Sequence, residues 1–321
     1  MFGSLPTRLY INDVVTRDGF QNERSFIPTD EKISLINDLS RSGLAKIEVT
    51  SFTSPKAIPA LADAETVMKG IDREPGVIYT ALVPNIRGAE RALSCNIDEI
   101  NLVMSMSETH NLSNLRMPRE NSFAQLAEVI RMADLHHLPV NVSLSTVFGC
   151  PMEGQVEPAE VYRWIERFSA LPVRGVTLCD TTGMANPAQV FQISETVRRQ
   201  FPHLEVTLHF HNTRGMALAN AIAAVQAGVI SFDASLGGLG GCPYAPGATG
   251  NVCTEDLVHM FHAIGCETGV DLARLLAATA RLPEIVNHDV PSHLLKAGPA
   301  DRRYAEPTFV AELRARNWDT A

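Results

Sequence analysis

A chain of 321 residues, 45% of them hydrophobic, can bury a large core, and one α/β barrel with a modest tail fills that length. Its formal net charge of −9 and the lack of any basic run argue against a nucleic-acid surface. No apolar stretch reaches membrane-spanning length and residues 1–8 lack a signal-peptide core, so a soluble cytoplasmic protein with neither nucleic-acid nor membrane partners is expected.

Short apolar, β-branched runs alternate along the chain with longer amphipathic ones. Strands are predicted over 9–15, 46–52, 77–83, 99–106, 139–147, 175–181, 205–212 and 230–236. Helices are predicted between them, among others over 29–41, 120–135, 158–169 and 187–199. Three of these open on recognisable start signals: Thr29 followed by Asp30 and Glu31, Glu157 before Pro158, and Asn186 before Pro187. Eight βα units in succession favour a closed (β/α)8 TIM barrel over an open doubly wound sheet. A last amphipathic stretch, 270–281, ends near Pro283. Residues 1–285 are therefore expected to form the catalytic barrel and 286–321 a short helical C-terminal extension.

Active sites of such barrels form at the carboxyl ends of the strands, and here those ends are unusually polar. Strand 1 runs into Thr16, Arg17, Asp18 and Gly19; strand 2 carries Glu48 and Ser51; strand 6 ends in Asp180 and Thr181. Strand 7 supplies His209 and His211, and strand 8 leads into the glycine-rich run 237–251. Burying such charges costs several kcal/mol each, ~3 or more, unless they are paired or metal-bound.

His209 and His211 are the most informative pair. Two residues apart at a strand exit, their side chains share one face and can grip one ion. With an aspartate and a side-chain amide they make a nitrogen and oxygen donor set suited to Mg2+ or Mn2+. Asp18 and Asn251 are the candidates for the two oxygens. Taken singly, Asp18 reads equally as an ion-pair partner of Arg17, and Asn251 as a cap for a helix near Thr254; beside the paired histidines, both read as ligands.

Of the six cysteines, Cys95, Cys150, Cys179, Cys253 and Cys266 read as buried thiols without CxxC spacing. Cys242 differs because it lies in the glycine-rich run. That run has no phosphate-loop ending and no dinucleotide fingerprint, so it reads as a closing loop that carries Cys242 as a proton-transfer group, against the plainer reading of a turn with an inert thiol.

Four segments resemble the 3-hydroxy-3-methylglutaryl-CoA lyases, metal-dependent barrels that break carbon bonds next to acyl-CoA: residues 16–23, 47–56, 237–245 and 249–257. The resemblance runs from about residue 9 to about residue 280. It implies cleavage of a 3-hydroxy-3-methylglutaryl-CoA-type thioester to acetyl-CoA and acetoacetate, with Asp18, His209, His211 and Asn251 as metal ligands. It further implies Arg17 on the thioester oxygen, Cys242 as the acid/base residue, and Glu48, Asp180 and Glu255 as supporting acids. An acyl-CoA substrate and a place in leucine degradation come with it; homo-oligomerisation stays open. The chain departs from the family's usual pattern at Phe20, Phe210, Asn212, Arg214 and Met216, and in 282–298. Arg214 reads equally as a residue that recognises an acyl group or carboxylate and as one that faces solvent. A lyase for a related 3-hydroxyacyl-CoA, a 2-isopropylmalate-type condensing enzyme and a silent acyl-CoA-binding barrel are the competing readings.

Overall fold

The computed structural model describes residues 6–241 and 250–315. Eight parallel strands close into a barrel in sequence order: β1 (Tyr10–Asp13), β2 (Lys46–Ser51), β3 (Ile78–Leu82), β4 (Glu99–Ser105), β5 (Val140–Ser145), β6 (Gly175–Asp180), β7 (Glu205–Phe210) and β8 (Ser231–Ala234). β8 pairs back onto β1 through Tyr10 to Asp13, which completes the circle. The TIM barrel expected from the alternation is thus present, and each strand ends within a few residues of its predicted limits.

The strands sort their side chains by period 2. On β5, Val140, Val142 and Leu144 are fully buried against the helical shell, whereas Asn141, Ser143 and Ser145 point inward. The apolar core therefore lies between the barrel wall and the helices, where Leu35, Leu39, Ile130, Trp164, Phe168 and Val197 join it. Those helices are α1 (Thr29–Ser40), α2 (Ala64–Gly70), α3 (Ile86–Leu93), α4 (Glu108–Leu115), α5 (Arg119–Leu135), α6 (Pro158–Ser169), α7 (Pro187–Gln200), α8 (Ala217–Gln226) and α9 (Thr254–Ala263). Asn186 caps α7 by accepting the N–H of Gln189, and Pro158 and Pro187 occupy the first turns of α6 and α7. Among the described residues no helix is long and apolar enough to cross a membrane.

Two expectations shift. The helix read over 270–281 is α10 (Leu272–Thr279), and Pro283 does not end a helix but opens α11 (Leu282–Val286). A proline costs nothing in a first turn, where its missing N–H has no partner to lose. The expected boundary at 285/286 thus falls inside α11, and Leu282, Val286 and Val290 belong to the main core. α12 (His293–Ala297) is tied down by Asp256, which accepts the N–H groups of His293 and Leu294. Among the described helices, α13 (Thr308–Arg314) alone has no buried residue.

Candidate active site at the carboxyl ends of the strands

A cavity of about 590 Å³ opens at the carboxyl ends of the strands, bordered by Arg17, Asp18, His209 and His211. Arg17 and Asp18 reach it because β1 does not run on as a strand. The chain folds into a single turn of π-helix, Val15–Gly19, in which the carbonyl of Val14 accepts the N–H groups of Arg17, Asp18 and Gly19. Such turns recur at functional sites because they re-aim side chains out of a regular ladder. Gly19 packs closely here: a Cβ would meet Leu239 Cβ at 3.2 Å and Val15 Cγ2 at 3.0 Å, so a larger residue would have to push these neighbours aside.

His209 lies in β7 and faces inward. His211 falls one residue beyond the strand, where sequence patterning had placed it inside. β8 ends at Ala234, so pairing beyond that point passes to 250–252: Asn212 donates to the Gly250 carbonyl at 2.9 Å and Val252 to the Phe210 carbonyl at 2.9 Å. That switch sets His211 directly opposite Asn251. Gly240 is a glycine the site needs. Its φ is +99°, and a Cβ would lie 2.6 Å from Asn251 Nδ2 and 3.0 Å from Asp18 Oδ2.

The ligand atoms of Asp18, His209 and His211 lie within 4.8 Å of one another, all buried. Asn251 Nδ2 donates to Asp18 Oδ2 at 2.7 Å and to the Leu239 carbonyl at 2.9 Å, which fixes the orientation of the amide. Its Oδ1 is buried and has no hydrogen-bond partner, and neither has His211 Nδ1. Two buried acceptors left without donors are expected where a cation belongs. Protonation agrees. Burial pushes the Asp18 carboxyl up, but Arg17, then His209 and His211, outweigh it and hold it at about 2. Burial, with His209 beside it, pulls His211 down to about 4, so its ring is neutral with a lone pair to give. A hard divalent cation fits this donor set.

Burial alone lowers the Arg17 guanidinium, yet the carboxylates of Glu48 and Asp18 reverse this, and it stays cationic. Its Nε donates to Glu48 Oε2 and its Nη1 to Asp18 Oδ1 at 2.7 Å. Glu48 is held in turn by Asn101, whose Nδ2 donates to Oε1 at 2.7 Å. Glu48 thus stands behind Arg17.

Asp180 and Glu255 do not border the cavity. Asp180, opposite Phe210 in the ladder, accepts the N–H groups of Met184 and Ala185, and burial raises it to about 6. Glu255 accepts the N–H of Gly237 beneath the glycine-rich run, and burial raises it to about 7. Arg214 also stays outside; it donates to the carbonyls of Thr182 and Gly183 and so braces the β6 to α7 turn. Cys242 lies outside the described residues. Patterning missed Asn12, Asn101, Cys179 and Asp233, all inside the barrel. Their signal is polar residues at period 2, as in Ser231, Asp233 and Ser235 or Thr177, Cys179 and Thr181.

The sequence pattern of the HMGL-like family matches residues 8–282. Hydroxymethylglutaryl-CoA lyase YngG of Bacillus subtilis is 48% identical over 91% of this chain and 97% of its own length. The human mitochondrial hydroxymethylglutaryl-CoA lyase is 38% identical over 92% of this chain and 91% of its own. Among solved structures, an HMG-CoA lyase from Acinetobacter baumannii in complex with coenzyme A and 3-methylmalate superposes with a TM-score of 0.91. It is 46% identical and covers 95% of this chain and all of its own.

Proposed function

This chain belongs to the HMGL-like family, and from that premise we propose that it cleaves 3-hydroxy-3-methylglutaryl-CoA between C2 and C3 to acetyl-CoA and acetoacetate. The observation that carries the reading is the convergence of Arg17, Asp18, His209 and His211 on one cavity, backed by the unshared Oδ1 of Asn251. Asp18, His209, His211 and Asn251 would hold Mg2+ or Mn2+; when bound, the ion makes the C3 hydroxyl more acidic and orients the acyl group.

Arg17 is the fixed cation of the site. With Nε on Glu48 and Nη1 on Asp18 it cannot swing to solvent, and Nη2 remains for the thioester oxygen. As the C3 hydroxyl loses its proton, C3 becomes the carbonyl carbon of acetoacetate and the C2–C3 electron pair moves into the thioester enolate. Negative charge then grows on the thioester oxygen, where a donor already in place stabilises it most. A proton delivered to C2 completes the acetyl group. Cys242 is the proposed acid/base group for these transfers, on the strength of the resemblance of its segment. Glu48 acts through Arg17, while Asp180 and Glu255 brace the turns around the site. The cytoplasm is the proposed location.

Ser143 and Ser145 line the cavity as well, which makes related 3-hydroxyacyl-CoA thioesters the second substrates to try. The Mg2+-loaded protein should be incubated with a panel of such thioesters and the products identified by mass. Acetyl-CoA and acetoacetate from 3-hydroxy-3-methylglutaryl-CoA, lost on chelation and restored by Mg2+ or Mn2+, are expected. Turnover that survives exhaustive chelation would overturn the metal assignment. Near-normal turnover by Cys242→Ser would leave Cys242 without its acid/base role.

A further inference from the structure

The two histidines of the site are not equivalent. His211 Nδ1 is buried without a hydrogen-bond partner, whereas His209 Nδ1 lies 3.4 Å from Oδ2 of Asp233. Asp233 sits directly opposite His209 on the neighbouring strand β8, facing the same interior. Its other oxygen accepts Asn12 Nδ2 at 2.8 Å. The Asn12 amide also reaches Ser231 Oγ at 3.3 Å, and Ser231 accepts the Thr207 hydroxyl at 3.0 Å. A polar column therefore runs down the inside of β7, β8 and β1 and ends at His209.

This layer of a barrel is ordinarily filled by branched aliphatic side chains, and an aspartate placed there loses hydration that only a specific partner replaces. Asp233 is not a further ligand in the present arrangement, since it stands outside the group formed by Asp18, His209 and His211. We propose that Asp233, aligned by Asn12, is the positioning residue for His209: it accepts the Nδ1 proton, fixes the tautomer and turns Nε2 toward the ion. The inference rests on the reading of this site as a metal centre. Its physical basis is that an imidazole presents a lone pair from one nitrogen only while the other carries the proton, and a carboxylate on the protonated nitrogen raises the ligand's basicity.

Asp233→Asn keeps the size of the side chain, and Asn12→Leu removes the group that orients it. Mn2+ binding is measured by titration calorimetry, and the His209 tautomer by nitrogen-detected NMR of the metal-free protein, with thermal melting to confirm the fold. The wild type should bind Mn2+ and show His209 protonated on Nδ1. Asp233→Asn should weaken Mn2+ binding by roughly 10 to 100-fold and shift the tautomer, and Asn12→Leu should do both to a smaller extent. Mn2+ affinity within about twofold of wild type in Asp233→Asn overturns the inference while leaving the metal centre standing. An activity loss with unchanged Mn2+ affinity also overturns it, because Asp233 then acts on the substrate. A wild type that binds no Mn2+ defeats the metal reading and this inference together.

Discussion

The barrel has a polar cavity at each end, and the larger one is not the candidate active site. At the amino ends of the strands the opening measures about 1000 Å³ against about 590 Å³ at the carboxyl ends. The lower opening is rich in charge, and the charges at its centre are matched to one another. Lys46 donates to Glu99, which also lies 4.0 Å from Arg174, and Arg174 donates to Glu205 at 2.9 Å. Among the described residues bordering it, none has a buried side-chain nitrogen or oxygen without a partner. At the upper end Asn251 Oδ1 and His211 Nδ1 are left without partners, and a cationic Arg17 is clamped in place. Unmet hydrogen-bonding capacity, rather than volume, distinguishes a place built for a ligand from a satisfied scaffold.

Substitutions at the two ends should therefore fail in opposite ways. The largest effect is expected from Asp18→Asn, which keeps the shape but removes the anionic ligand. Activity should drop by about three orders of magnitude and Mn2+ binding should weaken sharply in a protein that still folds, its melting temperature lowered modestly by the loss of the buried Arg17 pair. Calorimetry and a coupled acetyl-CoA assay check this, and a variant that merely unfolds would erase the contrast between the ends.

Next comes Arg17→Gln. Because its hydrogen bond to the thioester oxygen strengthens as charge develops, kcat should fall by about 10²–10³ while KM moves by less than about fivefold. A change confined to KM would make Arg17 a substrate-binding residue only.

At the lower end, Lys46→Met should leave kcat within about twofold of wild type but cost about 2 kcal/mol of stability, because Glu99 loses a buried partner. Glu99 is already pushed upward by burial, against which Lys46 and Arg174 pull it down. Removing Lys46 raises it further, so the loss should be greater near pH 8 than near pH 5, as read by urea unfolding. A variant with normal stability and impaired turnover would mean the two ends communicate.

The smallest effect is expected at Asp13, which stands just before the π-turn, and is set against Asp18 within that turn. Burial raises the Asp13 carboxyl to about 7, whereas Asp18 is held at about 2. For Asp13 the folded value exceeds the unfolded one near 3.8, so its contribution is complete below about pH 4 and is lost as the pH rises to about 7. For Asp18 the sign reverses: stability present above about pH 4 is lost as the pH falls toward 2. In the metal-free protein, Asp13→Asn should flatten the decline between about pH 4 and 7, measured by urea midpoints. An unaltered slope would place the titrating group elsewhere.

Much of this was legible in the chain. Eight β-prone runs separated by amphipathic ones specify a barrel because strands and helices have different hydrophobic periods, and these are local properties. His209 and His211 stood out for the same reason, since period 2 at a strand exit puts both rings on one side. The limits of β7 were harder to read. Whether His211 continues the ladder depends on which partner remains beside it, and that partner, 250–252, is forty residues away.

The sequence by itself determined the architecture and which residue types stand at the strand ends, because periodicity and glycine placement act over a few neighbours. Only the tertiary structure decided what those residues do to one another. It brought Asn251 across to Asp18, turned Asp180 and Glu255 onto backbone N–H groups instead of the cavity, and committed Arg214 to the carbonyls of a turn. It also set Asp233 beside His209 and left Asn251 Oδ1 and His211 Nδ1, at the upper end, without donors. Closing a barrel places side chains from distant strands within hydrogen-bond reach of a common axis, and the resulting protonation states and unmet valences are properties of that geometry, absent from any single segment.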